Sequence, residues 1–235
     1  MALTYKRIIL KLSGEALGED GKLFDQDMIM RVARVLADIA KTGTELGVVI
    51  GAGNIWRGRQ SKDMDAVTAD HMGMLGTVIN CLCMRDAVER CGAKAVVFSA
   101  IDMPRVCEAY NVQSARQAMS EGKIVFFAGG SGNPFFTTDT AVVLRAVEMK
   151  ADALLLAKNI DGVYTADPHK DPTATLIKDI SYAEALAKGL RVMDTAAFAM
   201  LSEQAVPAVR VFGLSEPENV LKVIDGDPCG TVLHP

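Results

Sequence analysis

Short apolar runs that alternate with segments of helical period constrain the fold of this chain more than any other feature. Each run is rich in Val, Ile, Leu or Phe and has the length of a β-strand. Because the runs are apolar throughout, they are typical of strands that are covered on both faces. The runs predicted as strands are residues 7–12, 46–50, 95–99, 124–128, 153–157 and 208–212.

Segments with helical periodicity separate these runs, at residues 27–41, 70–91, 114–121, 138–150, 182–188, 195–204 and 216–224. A succession of strand and helix along the whole chain predicts an α/β fold with a mainly parallel sheet. No linker, repeat or low-complexity tract interrupts it, so we predict a single domain over residues 1–235. The exception is residues 161–179, where Gly162, Pro168 and Pro172 predict a long surface loop.

Charge and cysteine content argue against several classes of protein. The 25 Lys and Arg residues are outnumbered by 29 Asp and Glu, which disfavours a non-specific nucleic-acid or membrane-surface binder. The five cysteines form no CxxC pair, so we expect free thiols and neither a disulfide framework nor a zinc site. No secretory leader and no apolar run of about 18 residues is present, and we expect a cytoplasmic protein.

Four glycine-containing loops follow predicted strands directly, at residues 11–15, 51–54, 129–134 and 158–162. In an open α/β sheet, ligands bind at the carboxyl ends of the strands. Glycines let backbone N–H groups approach an anion, although in any one loop they more often serve a tight turn. Four such loops at one sheet edge therefore predict an anion-binding site.

Standard nucleotide motifs do not fit these loops. A Walker A motif would need glycine where Ala16 and Gln117 stand, and the dinucleotide fingerprint would need one where Trp56 stands. Ser131 lacks the flanking glycines of a nucleophile elbow, which disfavours hydrolysis. The charged residues nearby suit phosphoryl transfer, which mainly requires positioning and charge neutralisation. They are Lys11, Arg57 and Lys158, with Asp70, Asp139, Asp161, Asp167 and Asp194.

Each of these charged residues also has an ordinary structural explanation. Lys11 ends an apolar strand, where a lysine commonly extends its ammonium group to solvent. Asp139 and Asp70 are both predicted to open helices, where an acidic residue complements the helix dipole.

Four segments resemble those of the bacterial uridylate kinases, which belong to the amino acid kinase superfamily. They are Lys11-Leu12-Ser13-Gly14-Glu15, Asp70-His71-Met72-Gly73-Met74, Gly132-Asn133-Pro134-Phe135-Phe136-Thr137-Thr138-Asp139 and Asp161-Gly162-Val163-Tyr164-Thr165-Ala166-Asp167-Pro168. The second and third segments are specific to the uridylate kinases, whereas the other two are shared loosely across the superfamily. The resemblance implies a three-layer αβα sandwich and transfer of the ATP γ-phosphoryl group to UMP, with Mg²⁺.

The resemblance also implies roles for individual residues. Around ATP it places Lys11, Leu12, Ser13, Gly14, Gly53 and Arg57 near the phosphates, and Asn159, Tyr164 and Asp167 at the nucleoside. Around UMP it places Ala52, Asp70, Ser131, Gly132, Asn133, Pro134, Phe135, Phe136, Thr137 and Thr138. Catalysis would fall to Lys11, Arg57, Asp139 and Asp194, the two carboxylates orienting the lysine and organising Mg²⁺, which the ATP phosphates would mainly hold.

Members of this family are hexamers, typically activated by GTP and inhibited by UTP, so a homohexamer is implied. Arg85 matches GTP-responsive relatives, whereas Glu89, Val96 and Lys123 stand where some of them carry His, Arg and Arg. A carboxylate near a triphosphate is unfavourable, so GTP activation is in doubt. Ala52, where a glycine is common, is expected to have little effect.

Two other functions stay open from the sequence. A kinase of the same superfamily that acts on a carboxylate or carbamate would lack the Phe135-Phe136-Thr137-Thr138 stretch, whose side chains suit a nucleotide. A non-catalytic, nucleotide-responsive regulatory protein would have lost its phosphate-neutralising residues, yet Lys11, Arg57, Asp139 and Asp194 are all present.

Overall fold

The structure, a computed structural model, describes residues 5–18, 22–56, 63–168, 170–190, 192–204, 206–214 and 216–235. Its strands are β1 Arg7–Leu12, β2 Glu45–Ile50, β3 Ala95–Ser99, β4 Glu108–Ala109, β5 Ile124–Ala128, β6 Ala153–Lys158, β7 Val163–Tyr164, β8 Leu176–Ile177, β9 Asp179–Ser181, β10 Val209–Gly213 and β11 Thr231–His234. Its helices are α1 Gln26–Lys41, α2 Ala66–Arg90, α3 Val112–Ser120, α4 Thr138–Met149, α5 Tyr182–Ala187, α6 Thr195–Glu203 and α7 Asn219–Ile224, and a 3₁₀ turn covers Gly14–Leu17.

A nine-stranded sheet forms the centre of the described part of the chain, in the order β4-β3-β5-β2-β1-β6-β10-β11-β9. In this order, each strand from β4 across to β10 runs parallel to its neighbours. Strand β11 runs antiparallel to β10. All six predicted strands lie within this sheet. Strands β4, β9 and β11 were not predicted, because each is only two to four residues long and has no extended apolar run.

The sheet is buried on both faces, as its apolar strands predict. In β1, Ile8 and Leu10 face a core shared with α1, α2 and α7, whereas Ile9 faces a core shared with α3 to α6. Phe126 and Phe127 divide in the same way between the two cores. The predicted three-layer αβα sandwich with a mainly parallel sheet is therefore confirmed.

Helix α2 begins four residues earlier than predicted. Its N-cap is Asp65, whose carboxylate accepts a hydrogen bond from the N–H of Thr68. The prediction that Asp70 opens this helix is therefore wrong. Because Asp65 supplies the cap, the carboxylate of Asp70 in the second turn remains available for another partner.

The predicted long loop over residues 161–179 contains a small sheet. Val163 pairs with Ile177 and Tyr164 pairs with Leu176 in the antiparallel β7 and β8 hairpin. The hydroxyl of Thr231 accepts a hydrogen bond from the N–H of Val163 and donates one to the carbonyl of Ile177. Strands of two residues are too short to produce a periodic sequence signal, so composition alone indicated a loop.

All five cysteines, Cys81, Cys83, Cys91, Cys107 and Cys229, are free thiols. Burial raises the pKa of Cys81 well above its usual range, which keeps this thiol protonated. Among the helices that the structure describes, none has the length and apolar character to span a membrane.

Candidate active site

The four glycine-containing loops lie side by side, because they follow β5, β2, β1 and β6, which are neighbours in the sheet. Strands β1 and β2 are joined at their carboxyl ends, because the N–H of Gly51 donates to the carbonyl of Leu12 at 3.0 Å. Asn80 of α2 then donates to the carbonyl of Gly51 at 2.7 Å. The predicted anion-binding edge is thus one continuous surface.

Lys11 and Asp139 form an ion pair at the centre of this edge. The Nζ of Lys11 lies 2.5 Å from Oδ1 of Asp139, and the two side chains are 17% and 19% exposed. Lys11 therefore does not extend into solvent as a free surface lysine would. Thr137 caps α4 by accepting hydrogen bonds from the N–H groups of Asp139 and Thr140, so the carboxylate of Asp139 is left to hold the lysine.

Asp194 joins the start of α4 to the start of α6. The hydroxyls of Thr137 and Thr140 both donate to its carboxylate, and it also accepts from the N–H of Ala197 as the N-cap of α6. Burial opposes ionisation, but these hydrogen bonds outweigh it and hold the pKa of Asp194 below its usual value. The resemblance implied that both carboxylates orient Lys11. Among the described residues, Asp139 contacts Lys11, whereas the partners of Asp194 are hydroxyl and backbone groups.

Lys158 is a second cation beside this pair, at the end of β6. Its ammonium group donates to the carbonyl of Val192. Burial lowers the pKa of Lys158, and its side chain lines the same cavity as Lys11 and Asp139. The sequence identified Lys158 as a candidate cation but gave it no role. These groups surround a cavity lined by Lys11, Thr137, Thr138, Asp139, Lys158, Val192, Met193, Asp194 and Thr195, here called the transfer site.

A cavity of about 590 Å³, here called the acceptor cavity, adjoins the transfer site. Many of the residues assigned to UMP by resemblance line it, namely Ala52, Asp70, Ser131, Asn133, Phe135, Phe136, Thr137 and Thr138. Gly53, which the resemblance placed near the ATP phosphates, lines this cavity as well. Gly132 and Pro134 do not line it. Sequence reasoning missed Trp56, Met64, Met74 and Thr77, which line the same cavity from before and within α2. Their apolar or small side chains carry no signal that separates them from core residues.

Asp70 crosses the acceptor cavity to the loop that precedes α4. Its Oδ2 accepts a hydrogen bond from the N–H of Phe135 at 2.6 Å. Phe135 has a φ of 72°, a backbone conformation that is costly for a bulky residue, and the residue is 71% exposed. The carboxylate of Asp70 therefore stabilises a strained residue at the mouth of the cavity.

A third cavity, here called the donor cavity, lies on the other side of the transfer site. It is lined by residues of the β7 and β8 hairpin region and of the turn after α5, including Tyr164, Asp167, Lys158, Lys188 and Val192. Tyr164 and Asp167 are thus brought together as expected. Asn159 is not, because its side chain donates to Glu15 at 3.1 Å and lines a separate cavity with Glu15 and Asp161.

The remaining predicted phosphate contacts have varied outcomes. Ser13 caps the 3₁₀ turn after β1, and Leu12 is buried in the core. Gly14 packs so closely on the β2 loop that a Cβ would lie 2.4 Å from the carbonyl oxygen of Gly51. Arg57 lies outside the described residues. Within the described ranges, no three His, Cys, Asp or Glu side chains are grouped to hold a metal ion.

Comparison with known proteins gives consistent matches over nearly the whole chain. The sequence profile of the amino acid kinase family matches residues 6–212. A uridylate kinase from a Nocardioides species is 47% identical over 232 residues, which cover 97% of this chain and 98% of that protein. The crystal structure of UMP kinase from Bacillus anthracis has a TM-score of 0.94 at 35% identity and covers 98% of this chain and 96% of its own. That of UMP kinase from Ureaplasma parvum has a TM-score of 0.92 at 32% identity, with coverage of 98% and 99%.

Proposed function

The chain belongs to the amino acid kinase family, and from this premise we propose that it transfers the γ-phosphoryl group of ATP to UMP. The products are ADP and UDP, which feed pyrimidine nucleotide synthesis. The high identity to a uridylate kinase along the full chain supports this acceptor over a carboxylate or a carbamate. The reaction is that of an ATP-dependent phosphotransferase.

The observation that carries the proposal is the continuity of the three cavities. The acceptor cavity and the transfer site share Thr137 and Thr138, and the transfer site and the donor cavity share Lys158 and Val192. A nucleotide in each outer cavity would direct its phosphates to the centre. Phosphoryl transfer depends on this alignment, because bringing two bound reactants into line removes much of the entropic barrier.

Charge neutralisation is the main task of the residues at the centre. The acceptor phosphate is mostly dianionic near neutral pH, with a second pKa of roughly 6, so it can attack without a general base. Two highly charged phosphates repel each other, and the ammonium groups of Lys11 and Lys158 oppose that repulsion. Asp139 fixes the direction of Lys11. Arg57 remains a predicted third cation.

Asp194 acts on the acceptor side of the transfer site. By accepting from Thr137 and Thr140, it fixes the helix start that borders both the acceptor cavity and the transfer site. This arrangement supports a positioning role in place of the lysine contact that the resemblance implied.

ATP-dependent kinases require a divalent cation, and we propose Mg²⁺ here. The carboxylates of Asp139 and Asp194 supply oxygen donors of the kind that Mg²⁺ prefers, and Mg²⁺ usually combines one or two such groups with substrate phosphates. The ion would enter with ATP and reduce the negative charge on the phosphates.

We further propose that the enzyme is cytoplasmic and assembles as a homohexamer. Met72, Leu75 and Ile79 are spaced along one face of α2 and are 37%, 48% and 49% exposed. An apolar stripe of this kind supports self-association. Light scattering should give a mass several times that of one chain, and Leu75→Asp combined with Ile79→Asp should lower it.

Effector responses are proposed from the same resemblance, with UTP as an inhibitor and a weak response to GTP. Lys123 pairs with Glu121 at 2.8 Å, and Glu89 is an exposed carboxylate. Both features reduce the positive charge that a triphosphate would meet. A titration of rate against GTP at fixed ATP and UMP tests this, and strong activation would contradict it.

A coupled assay of ADP release tests the function itself. Mg-ATP is supplied with UMP, CMP, dUMP, aspartate, glutamate or carbamate on one preparation. Turnover with UMP far above the others is expected. Turnover only with a carboxylate or carbamate would show that the acceptor is wrong, and no turnover with any of them would favour a regulatory protein.

A further inference from the structure

A buried guanidinium group lies behind the glycine loop of the acceptor cavity. Arg145 of α4 is 3% exposed, and its Cζ lies 3.7 Å from the centre of the Tyr110 ring. Its Nη1 donates to Glu148 at 2.5 Å, and its Nη2 donates to the carbonyl of Gly130 at 3.3 Å. The hydroxyl of Tyr110 donates to the same Glu148 oxygen at 2.5 Å.

Packing alone does not account for this arginine. Its Nε is buried and has no hydrogen-bond partner among the described residues. Burying a charged group with an unpartnered donor costs free energy, and an apolar side chain would fill the same space without that cost. The hydrogen bond to Gly130 is the one feature of the group that reaches the acceptor cavity.

This hydrogen bond fixes the orientation of one peptide unit. The described residues contain no cis peptide bond, so the carbonyl of Gly130 and the N–H of Ser131 point in opposite directions. Because the carbonyl points inward to Arg145, the N–H points outward, on the side where Gly130 and Ser131 line the acceptor cavity. No hydrogen bond within the described part of the chain uses the N–H of Ser131.

Gly130 and Ser131 line the acceptor cavity but not the transfer site, whereas Thr137 and Thr138 line both. Arg145 stands seven residues after Thr138, which is roughly 10 Å along the helix. A nucleotide whose phosphate lies near Thr138 therefore has its base near Ser131. At position 4, uracil presents a carbonyl oxygen, which accepts a hydrogen bond, where cytosine presents an amino group, which donates one.

We propose that Arg145 is a positioning residue for the acceptor base: it holds the Gly130 and Ser131 peptide so that its N–H donates to a pyrimidine carbonyl oxygen. This inference rests on the proposed function, since it assumes that a pyrimidine nucleotide occupies the acceptor cavity. A fixed donor favours uracil over cytosine, because an amino group opposite an N–H leaves both donors without a partner. Arg145 therefore sets acceptor affinity and base preference and takes no part in phosphoryl transfer.

Calorimetric binding of UMP and CMP to the full chain tests the proposal, with steady-state rates measured beside it. Arg145→Met removes the guanidinium but keeps a long side chain. We expect its Kd for UMP to rise about ten-fold, as for the loss of one oriented hydrogen bond, and its preference for UMP over CMP to fall. The KM for ATP and the kcat at saturating UMP should change less than about three-fold.

Tyr110→Phe is the matched control, because it removes a hydrogen bond from the same cluster without touching Gly130. It should bind UMP as the unaltered chain does. An Arg145→Met protein that folds and keeps its UMP affinity and its base preference would overturn the proposal. Equal losses in Tyr110→Phe, or parallel losses for ATP and UMP, would also overturn it, because they would indicate a purely structural role.

Arg145→Lys covers the case in which Arg145→Met does not fold. A lysine keeps the charge but lacks the planar fork that reaches Glu148 and Gly130 together, so base preference should again fall. Unchanged preference would contradict the proposal. If the unaltered chain binds UMP but shows no turnover, the proposed function fails while the binding data still decide the role of Arg145.

Discussion

The acceptor and donor cavities flank one transfer site but are built differently. The acceptor wall is a glycine loop held from both sides: the N–H of Gly129 donates to Thr77 of α2 at 2.9 Å, and Arg145 of α4 holds the carbonyl of Gly130. The donor wall depends on the two residue pairs of β7 and β8 and on the hydroxyl of Thr231. Segments with few buried contacts open most easily, so the acceptor half is the more preorganised of the two.

Lys11 lies between the two halves, and its loss should have the largest effect. Lys11→Ala removes a cation from the transferring phosphate, so kcat should fall at least about 100-fold. Binding of UMP should change little, since Lys11 does not line the acceptor cavity. Lys41→Ala, which removes an exposed lysine of α1, is the control. An unchanged kcat in Lys11→Ala would remove Lys11 from the catalytic residues.

Asp70→Asn should weaken binding in the acceptor cavity without affecting the donor cavity. The substitution replaces a carboxylate that accepts from Phe135 and lines the acceptor cavity. We expect the KM for UMP to rise about ten-fold, as for the loss of a charge-assisted hydrogen bond, while the KM for ATP stays the same. Steady-state kinetics with each substrate varied in turn measures both. Asp86→Asn, which changes an exposed carboxylate on the same helix, is the control and should alter neither KM. Equal rises in both KM values in Asp70→Asn would show that the two cavities do not bind their substrates independently.

Gly162→Ala should weaken binding in the donor cavity. A Cβ there would lie 2.6 Å from Leu176 Cδ1 and 2.7 Å from Thr231 Oγ1, so the hydroxyl that joins β7 to β8 must move. The KM for ATP should rise a few-fold, as for a local loss of about 1 kcal/mol, and the KM for UMP should not. Thr231→Ser keeps the hydroxyl and should preserve ATP binding. A larger rise in the KM for UMP than in the KM for ATP would contradict this prediction.

The smallest expected effect is on thermal stability, at the contact between β11 and the edge strand β9. His234 of β11 contacts Asp179 of β9 at 3.1 Å, and the Pro235 carbonyl together with Asp179 raises the pKa of His234 above 6.5. Because the folded pKa is the higher one, this stabilisation is complete below about pH 6.5 and is lost as pH rises through the folded pKa. His234→Gln should therefore lower the Tm slightly at pH 5.5 and leave it unchanged at pH 8.5. A Tm difference that grows with pH would have the wrong sign.

Sequence predicted the central strands well because each is a continuous apolar run buried on both faces. It failed at β4, β7, β8, β9 and β11, because strands of two to four residues are too short to give an apolar run or a periodic pattern. For the site, eight of the ten residues that the resemblance assigned to UMP line the acceptor cavity, whereas only Tyr164 and Asp167 of those assigned to ATP line the donor cavity. The resemblance implied that Asp139 and Asp194 both orient Lys11, and it could not separate them. In the structure Asp139 holds Lys11, 128 residues away in the chain, while Asp194 binds hydroxyls, because these distances arise only when α4 and α6 meet.

Thr137 shows how strongly the site restricts its own sequence. A hydroxyl has one proton to donate and two lone pairs, and here the proton goes to Asp194 while the lone pairs accept from Asp139 and Thr140. Asp could cap the helix but would bring a second acceptor against a carboxylate, and Val would offer neither function. Asn would have to use its oxygen for the cap and its separate nitrogen for Asp194. Serine is the substitute that keeps both functions on a single oxygen atom, which makes a hydroxyl residue at position 137 a marker for recognising the same site in other chains.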